Sequence, residues 1–178
     1  MRGSESEGAA EVIRHALAYA DVLYDLARWL EREPSRAEDL VQETYARALA
    51  AARRFEPGSN LKAWLCTILR NAHLDRRRRS KNDPIEPADE PDALDETSSP
   101  TAAELGPEQL RALVAEEVAT AVHVLPETFR TIILLDLEGL SEQEIAGVMG
   151  CAPGTVKSRL SRARAELRRR LVDHGSRG

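Results

Sequence analysis

The chain has 178 residues, of which 42% are hydrophobic and 31% are charged, and its net charge is −5 at pH 7. This length accommodates one medium-sized or two small domains, and a chain that is negative overall can bind nucleic acid only through local patches. The N-terminus lacks a signal-peptide pattern, no apolar run approaches the roughly 20 residues of a membrane span, and the two cysteines have no metal-ligand spacing, so we expect a cytoplasmic protein with reduced thiols.

Three apolar patterns with helical spacing occupy residues 10–80, after a tail over residues 1–9 that we expect to be disordered. They predict helices over residues 10–31, 35–53 and 61–79, which together form a small all-helical domain. Ser35 and Glu38 have the spacing of a capping box at the start of the second helix. A loop rich in turn formers precedes the third helix, which either Ser59 or Asn60 would cap.

A basic segment with aromatic neighbours coincides with the third predicted helix. Residues 61–81 hold seven Lys or Arg against one Asp, a net charge of +6, and they include Trp64 with Phe55 just upstream. One interpretation is a core tryptophan followed by a solvated helix end, where arginines favour the negative end of the helix dipole. The other is a surface for single-stranded or minor-groove DNA, with cations on the phosphates and a loop that receives an unstacked base. The residues alone leave both open.

The composition changes sharply after this segment. Residues 81–108 contain five prolines and nine Asp or Glu against one Lys, a net charge of −8, with only three large aliphatic side chains. Such a segment cannot bury enough apolar surface to offset its ordering entropy. We therefore predict a flexible acidic linker over residues 81–106.

Residues 107–174 predict a second helical domain that ends in a helix-turn-helix. Ser141 and Glu144 form a capping box, Gly150 can take the left-handed conformation that stops a helix, and Pro153 can open the next one. Residues 151–175 have a net charge of +5, whereas residues 110–150 have a net charge of −5. This split by sign favours a second helix that faces DNA phosphates in a major groove over an ordinary helical hairpin with solvated charges.

No pattern of residues indicates catalysis, a metal site or a cofactor. The histidines are scattered, and we interpret them as surface or core residues because none lies at ligand spacing from a cysteine or a carboxylate. They are His15, His73, His123 and His174. The sequence has neither a phosphate-cradling glycine-rich loop nor a nucleophile elbow. We therefore expect a protein that is not an enzyme and that has no cofactor and no metal.

Three separated stretches carry a family resemblance. They are DLVQETYARAL at residues 39–49, RFEPGSNLKAWLCTILRNAHLDRRRR at residues 54–79 and LPETFRTIILLDLEGLSEQEIAGVMGCAPGTVKSRLSRAR at residues 125–164. In this order they resemble bacterial RNA polymerase sigma factors of the extracytoplasmic-function (ECF) type, in the sigma-70 family. The resemblance implies an all-α protein with two small helical domains, a region 2-like bundle and a region 4-like helix-turn-helix domain.

The resemblance also implies a function and its partners. A sigma factor binds core RNA polymerase through the clamp and flap regions and directs promoter-specific transcription initiation, and an anti-sigma factor usually holds it inactive. The residues that match the polymerase-binding motif are Asp39, Leu40, Gln42 and Glu43. Those that match the positions for the −10 promoter element are Phe55, Ser59, Asn60, Leu61, Trp64, Asn71, Arg76 and Arg77. Those that match the recognition helix for the −35 element are Thr155, Lys157, Ser158, Arg159, Ser161 and Arg162.

A stand-alone helix-turn-helix regulator that dimerises on a palindrome is the alternative interpretation. Such a regulator has no need of the motifs at residues 39–49 and 54–79, and it binds operator DNA unaided. A sigma factor of this kind should bind promoter DNA well only with core polymerase. An enzyme or a purely structural helical protein would leave the two basic segments unexplained.

Overall fold

A computed structural model describes residues 9–12, 14–31, 33–82 and 118–175, and this part of the chain contains helices and loops but no strand. Six of its α-helices are α1 (Ala20–Leu30), α2 (Pro34–Ala51), α3 (Leu61–Asn82), α4 (Glu127–Leu137), α5 (Glu142–Met149) and α6 (Pro153–Gly175), and residues 9–12, 14–15 and 118–123 are helical as well. Two 3₁₀ helices, Ala16–Tyr19 and Ala52–Arg54, precede α1 and follow α2. We call residues 9–82 the first module and residues 118–175 the second module.

The first module forms because α1, α2 and α3 each bury one stripe of small and apolar side chains against the other two helices. Leu23 of α1, Leu40 of α2, and Leu65 and Leu69 of α3 are all buried. The buried positions recur at the three- and four-residue spacing of a helix face. Thr44 is a buried polar residue of α2, and its Oγ1 donates a hydrogen bond to the Leu40 carbonyl at 2.7 Å, which satisfies the hydroxyl.

The helix-turn-helix of the second module has the termini that the sequence predicts. Ser141 Oγ accepts a hydrogen bond from the Glu144 amide at 3.3 Å, and the Ser141 amide donates to Glu144 Oε2 at 2.7 Å, so the capping box is confirmed. Gly150 ends α5 at a φ of +64°, the left-handed conformation that glycine adopts at little cost. Pro153 then begins α6. These local signals set the turn between the two helices.

The two modules pack against each other, with α3 on α5 and α1 on α4. Buried side chains from both modules belong to one continuous apolar cluster, which includes Cys66 of α3, Leu135 of α4 and Ile145 of α5. Arg130 of α4 crosses the boundary, and its Nη1 donates to the Trp29 carbonyl at 2.8 Å. Because Trp29 lies in the last turn of α1, this cation meets the negative end of a helix dipole.

Three local predictions need correction. The capping box at Ser35 and Glu38 is wrong, because α2 begins at Pro34 and no side chain caps its first turn. Proline has the φ of a first helical residue already, so the helix starts two residues earlier than it would with Ser35 as its cap. The helix predicted over residues 10–31 is interrupted by the 3₁₀ helix Ala16–Tyr19, and α3 extends to Asn82 rather than ending at residue 79.

The predicted tail and linker fall largely on residues 1–8 and 83–117, which lie outside the described residues, as does the start of the second domain. Their predictions therefore stay predictions. In the part of the chain that the structure covers, no helix combines the length and the apolar character that crossing a membrane requires. Cys66 and Cys151 are both free thiols.

Replacing Ser141 with alanine should destabilise the protein, because it removes the side-chain oxygen of the capping box. We expect the free energy of unfolding to fall by about 1 kcal/mol, measured by urea denaturation followed by circular dichroism. Ser35→Ala is the matched control, since Ser35 is exposed and caps no helix. It should change the same quantity by less than about 0.5 kcal/mol. Equal losses in the two variants would contradict the assigned cap.

Candidate nucleic-acid interface

Helix α6 turns its predicted DNA-reading residues away from the protein core. Val156, Leu160 and Ala163 are buried, and this stripe fixes the rotation of the helix about its axis. The predicted set divides into exposed residues (Lys157, Ser158, Ser161 and Arg162) and half-buried ones (Thr155 and Arg159). The outward face of the first three turns of α6 therefore carries cations and hydroxyls at the positions that a major groove can receive.

The loop before α3 mixes buried and exposed members of the predicted −10 set. Phe55 and Leu61 are buried in this structure and anchor the two ends of the loop in the core, and their contact with DNA stays a prediction. Ser59 and Asn60 are exposed between them. Gly58 has a φ of +80°, which provides the tight turn that this arrangement needs.

Asn60 is engaged by partners on both sides of its amide group. Its Oδ1 accepts a hydrogen bond from the Ala63 amide at 3.2 Å, so Asn60 rather than Ser59 caps α3. Its Nδ2 donates to Oε1 of Glu144, in the second module, at 2.7 Å. Ser59 Oγ donates to the Glu56 carbonyl at 2.7 Å, within the loop itself. The side chain of Asn60 therefore links the predicted −10 loop to the helix-turn-helix.

Trp64 and Asn71 lie seven residues apart on α3, which places them on the same face two turns from each other. Trp64 is half-buried, and its ring meets Phe55 edge-on, with 5.2 Å between the ring centroids and 62° between the ring planes. This geometry is favoured by the aromatic quadrupole and holds the loop against the helix. Asn71 is exposed, so its amide can both donate and accept hydrogen bonds.

Arg76, predicted to contact promoter DNA, and Glu43, predicted to contact the polymerase, form an ion pair with each other. Arg76 Nε lies 2.7 Å from Glu43 Oε2, and Arg47 Nη2 lies 2.6 Å from Glu43 Oε1. Arg47 Nη1 also lies 2.8 Å from Asp75 Oδ2, so these four side chains join α2 to α3. Burial opposes ionisation of Glu43, but the bonds from Arg76 and Arg47 outweigh it and lower the pKa of that carboxyl. In this structure the partner of Arg76 is Glu43, and its contact with phosphate stays a prediction.

The remaining polymerase-binding residues predicted on α2 divide between surface and core. Asp39 and Gln42 are exposed and share one helix face, because they are three residues apart. Leu40 is fully buried in this structure, and its contact with the polymerase stays a prediction. Leu40 holds α2 on the module core and thereby orients its two exposed neighbours.

Three cations of α3 contact the second module. Lys62 Nζ donates to the Glu138 carbonyl, and Arg70 Nη1 donates to the Val148 carbonyl at 3.4 Å. Arg77, predicted to follow phosphates, pairs with Glu127 and is half-exposed. Lys62 and Arg70 are absent from the predicted set, although their spacing in the sequence is a visible signal. The three cations are separated by about two helical turns each, which places them along one side of α3.

His73 is the buried centre of a charged cluster between the modules. Its Nδ1 lies 2.9 Å from Glu31 Oε1 in the first module, and its Nε2 lies 3.8 Å from Glu127 Oε1 in the second. Burial opposes protonation, but the carboxylates of Glu127 and Glu31 outweigh it and raise the pKa of His73 above its ordinary value. The contact with His73 lowers the pKa of Glu127. His73 is buried, in agreement with its interpretation as a surface or core residue, and its nearer carboxylate is 42 residues away in sequence, so no local spacing signals the pair.

The two modules match two models of one protein family. The Sigma-70 region 2 model matches residues 16–82, and the Sigma-70, region 4 model matches residues 115–167. The ECF RNA polymerase sigma factor EcfG of Rhodopseudomonas palustris is 40% identical to this chain over 161 residues, which cover 90% of this chain and 84% of EcfG. The ECF sigma factor SigE of Mycolicibacterium smegmatis is 36% identical over 162 residues, which cover 89% of this chain and 60% of SigE.

Solved structures are similar over the same extent. The sigma factor RpoE from Bartonella quintana, in complex with the anti-sigma factor NepR, has a TM-score of 0.67 and 32% identity over 89% of this chain and 94% of that one. CnrH, in complex with the cytosolic domain of CnrY, has a TM-score of 0.60 and 26% identity over 97% of each chain. Both sigma regions are thus present, in the same order and with an exposed recognition helix in the second. The chain therefore belongs to the ECF group of the sigma-70 family, the promoter-recognising sigma factors of bacterial RNA polymerase.

Proposed function

We propose that this sigma factor reads the −35 element with α6 and the −10 element with the exposed part of the loop at residues 55–61 and of α3. The observation that supports this assignment most is the outward row of cations and hydroxyls on α6, opposite a stripe that is buried in the core. The protein acts in the cytoplasm as a specificity subunit of core polymerase and performs no catalysis of its own.

The −35 assignment rests on the exposed side of α6. Arg162 and Lys157 are exposed on its first three turns, so they can enter a major groove that the helix approaches end-on. An arginine that donates two hydrogen bonds to a guanine contributes about 1–3 kcal/mol of discrimination between bases. The hydroxyls of Ser158 and Ser161 can bond to phosphates or base edges and would set the register on the duplex.

The −10 assignment rests on the face of α3 that continues from the loop. Asn71 is exposed there, and an amide that donates and accepts matches the edge of a base flipped out of the helix. The edge-on contact between the rings of Phe55, in the loop, and Trp64, on α3, holds the loop against the helix. Arg78 and Arg79 are exposed at the far end of α3 and would neutralise nearby phosphates.

The protein partners follow from the remaining exposed motif and from the structural relatives. Asp39 and Gln42 present a carboxylate and an amide on one face of α2, which would meet a cationic surface of the polymerase clamp. The second module would meet the flap. Because RpoE of Bartonella quintana is solved with an anti-sigma factor, we extend that kind of partner to this chain.

Run-off transcription tests the function as a whole. Purified chain added to core polymerase should initiate transcription from a subset of genomic templates, while core polymerase alone should not. In gel shifts, promoter DNA should be retarded strongly only when chain and core are both present. Tight DNA binding by the chain alone, without any gain in initiation, would instead support a stand-alone regulator.

Arg162→Ala should lower run-off transcription about tenfold at promoter concentrations well below saturation, because it removes one base or phosphate contact of the recognition helix. The matched control is Arg164→Ala. Arg164 lies on the other side of α6, where its Nη2 is 2.5 Å from Asp136 Oδ2, and this exposed ion pair contributes little to stability. We expect less than about a twofold change in the control. Similar losses in both variants would show that only net charge matters.

Asn71→Ala should weaken base selection at the melted −10 element. The measurement uses templates that are already unpaired there and compares initiation for each base at the flipped position. The wild type should discriminate by about tenfold or more, the variant by about twofold. Thr67→Ala is the control one turn earlier, because its hydroxyl donates to the Ala63 carbonyl within α3. Unchanged discrimination in Asn71→Ala would remove this residue from the proposed site.

A further inference from the structure

The second module covers cations on the side of α3 that faces it. Lys62 and Arg70 donate to the carbonyls of Glu138 and Val148, and Arg77 pairs with the carboxylate of Glu127. Glu138 follows the last residue of α4, and Val148 lies in the last turn of α5, so two of these cations sit at negative helix ends. Part of the basic surface of α3 is therefore already neutralised by protein groups.

The predicted −10 loop is held in the same way. Glu144 of α5 accepts a hydrogen bond from Asn60 Nδ2 at 2.7 Å. The Ser141 backbone amide, and then the Asn60 and Ser141 side chains, lower the pKa of Glu144, so this carboxylate is ionised at neutral pH. The Glu144 carboxylate thus binds the side-chain amide of Asn60, a group that is proposed to contact DNA. The exposed face of α6, in contrast, is not covered by the first module.

Contact between the modules conflicts with reading two promoter elements together. Elements centred near positions −10 and −35 are separated along B-form DNA by roughly 85 Å, at about 3.4 Å per base pair. Modules of this size have radii of gyration of only about 10 Å, so two that touch cannot span that separation. Because Asn60 and Glu144 are in direct contact, the structure is a closed state that must open before both elements are bound.

The charged cluster around His73 joins the two modules at the centre of this closed state. Glu31 at the end of α1 and Glu127 of α4 face the imidazole from opposite sides. Four arginines surround the two carboxylates, namely Arg36 of α2, Arg76 and Arg77 of α3, and Arg130 of α4. Of the two carboxylates, only Glu127 belongs to the second module. Opening therefore removes Glu127 from the imidazole and leaves Glu31 in place.

We propose that this sigma factor inhibits itself through the closed state, in which the second module covers the −10 face of the first, and that protonated His73 with Glu127 forms the latch. This inference rests on the proposed promoter contacts, because the covered face matters only if it binds DNA. Core polymerase, which separates the modules to place them on two elements, would break the contact between His73 and Glu127. A higher pH would weaken this contact, because it removes the proton from His73.

The direction of the pH dependence follows from the sign of each group. Glu127 is one of the two carboxylates that raise the pKa of His73, so the pKa is higher in the closed state than in the open one; the contribution to closure is present while the imidazole is protonated and is lost as the pH rises through the raised value. Glu127 has a lowered pKa, so its contribution is present above 4.5 and is lost only as the pH falls through the lowered value. Closure is therefore favoured in weakly acidic solution and weakens toward alkaline pH.

The thiol of Cys66 reports opening directly. It is fully buried and lines a small cavity with Val22 and Leu26 of α1 and Leu134 and Leu135 of α4, so departure of α4 removes one wall. Burial raises the pKa of this thiol to about 12, which suppresses its reaction in the closed state. In a Cys151→Ser background Cys66 is the only cysteine of the chain. The rate of its reaction with an aromatic disulfide reagent then measures the open population.

Glu127→Gln is the test variant, and Glu142→Gln is its matched control. Glu142 is an exposed carboxylate of the same module, in the first turn of α5. We expect Cys66 to react about tenfold faster in Glu127→Gln than in Glu142→Gln near pH 6, because the substitution removes the carboxylate that faces protonated His73 at 3.8 Å and pairs with Arg77, and it leaves the buried imidazolium with one anionic partner fewer. The rate ratio cancels the intrinsic pH dependence of the thiol. It should fall severalfold toward pH 8.5, and this fall should vanish in a His73→Gln background.

A rate ratio near one at every pH would overturn the latch, and a large ratio that does not change with pH would exclude His73 from it. Small-angle scattering of the full chain should give a larger radius of gyration for Glu127→Gln than for Glu142→Gln, with circular dichroism as the check that both variants are folded. Glu127→Gln should also yield more run-off transcript at limiting core polymerase. If neither variant supports transcription, the proposed function fails, while the thiol and scattering results still decide whether the closed state exists.

Discussion

The packing of α3 between the two modules is the constraint on which the other features of the structure depend. Leu65 and Leu69 bury one side of the helix in the first module, and Lys62, Arg70 and Arg77 meet the second module along another side. Because α3 packs on the first module along one side and contacts the second module along another, little of its surface is left exposed. The face that carries Trp64 and Asn71 is the one proposed to contact the −10 element, and its position is set by both packing surfaces together.

Motifs that look like binding sites in the sequence also contain the residues that build the scaffold. In α2 the fully buried Leu40 stands between the exposed Asp39 and Gln42, and in the −10 loop the buried Phe55 and Leu61 flank the exposed Asn60. The apolar residues determine which way their neighbours point, because a helix turns by a fixed angle per residue. Such a motif therefore specifies the orientation of a contact as well as its chemistry.

Features that depend on nearby residues could be predicted from the sequence, whereas contacts between distant segments could not. The capping box at Ser141 and the stop at Gly150 arise within one turn, and the stripe of α6 follows from its spacing. A similar local pattern at Ser35 failed because the adjacent Pro34 is the better helix start. The cluster of His73 with Glu31 and Glu127 joins three segments, and no short-range pattern in the chain signals that packing.

The charge pattern of the chain also favours contact between the two modules. Residues 61–81 of the first module, with a net charge of +6, and residues 118–150 of the second, with five Asp or Glu against one Arg and a net charge of −4, meet across the α3–α5 boundary, while residues 151–175 on α6, with a net charge of +5, stay outward. Attraction between unlike charges thus favours closure by the same cations that would bind phosphate. Because Arg77 can pair closely with Glu127 or with a phosphate but not with both, closure and promoter binding compete for it. In the proposed closed state the protein would limit its own access to DNA through residues that are proposed to bind DNA.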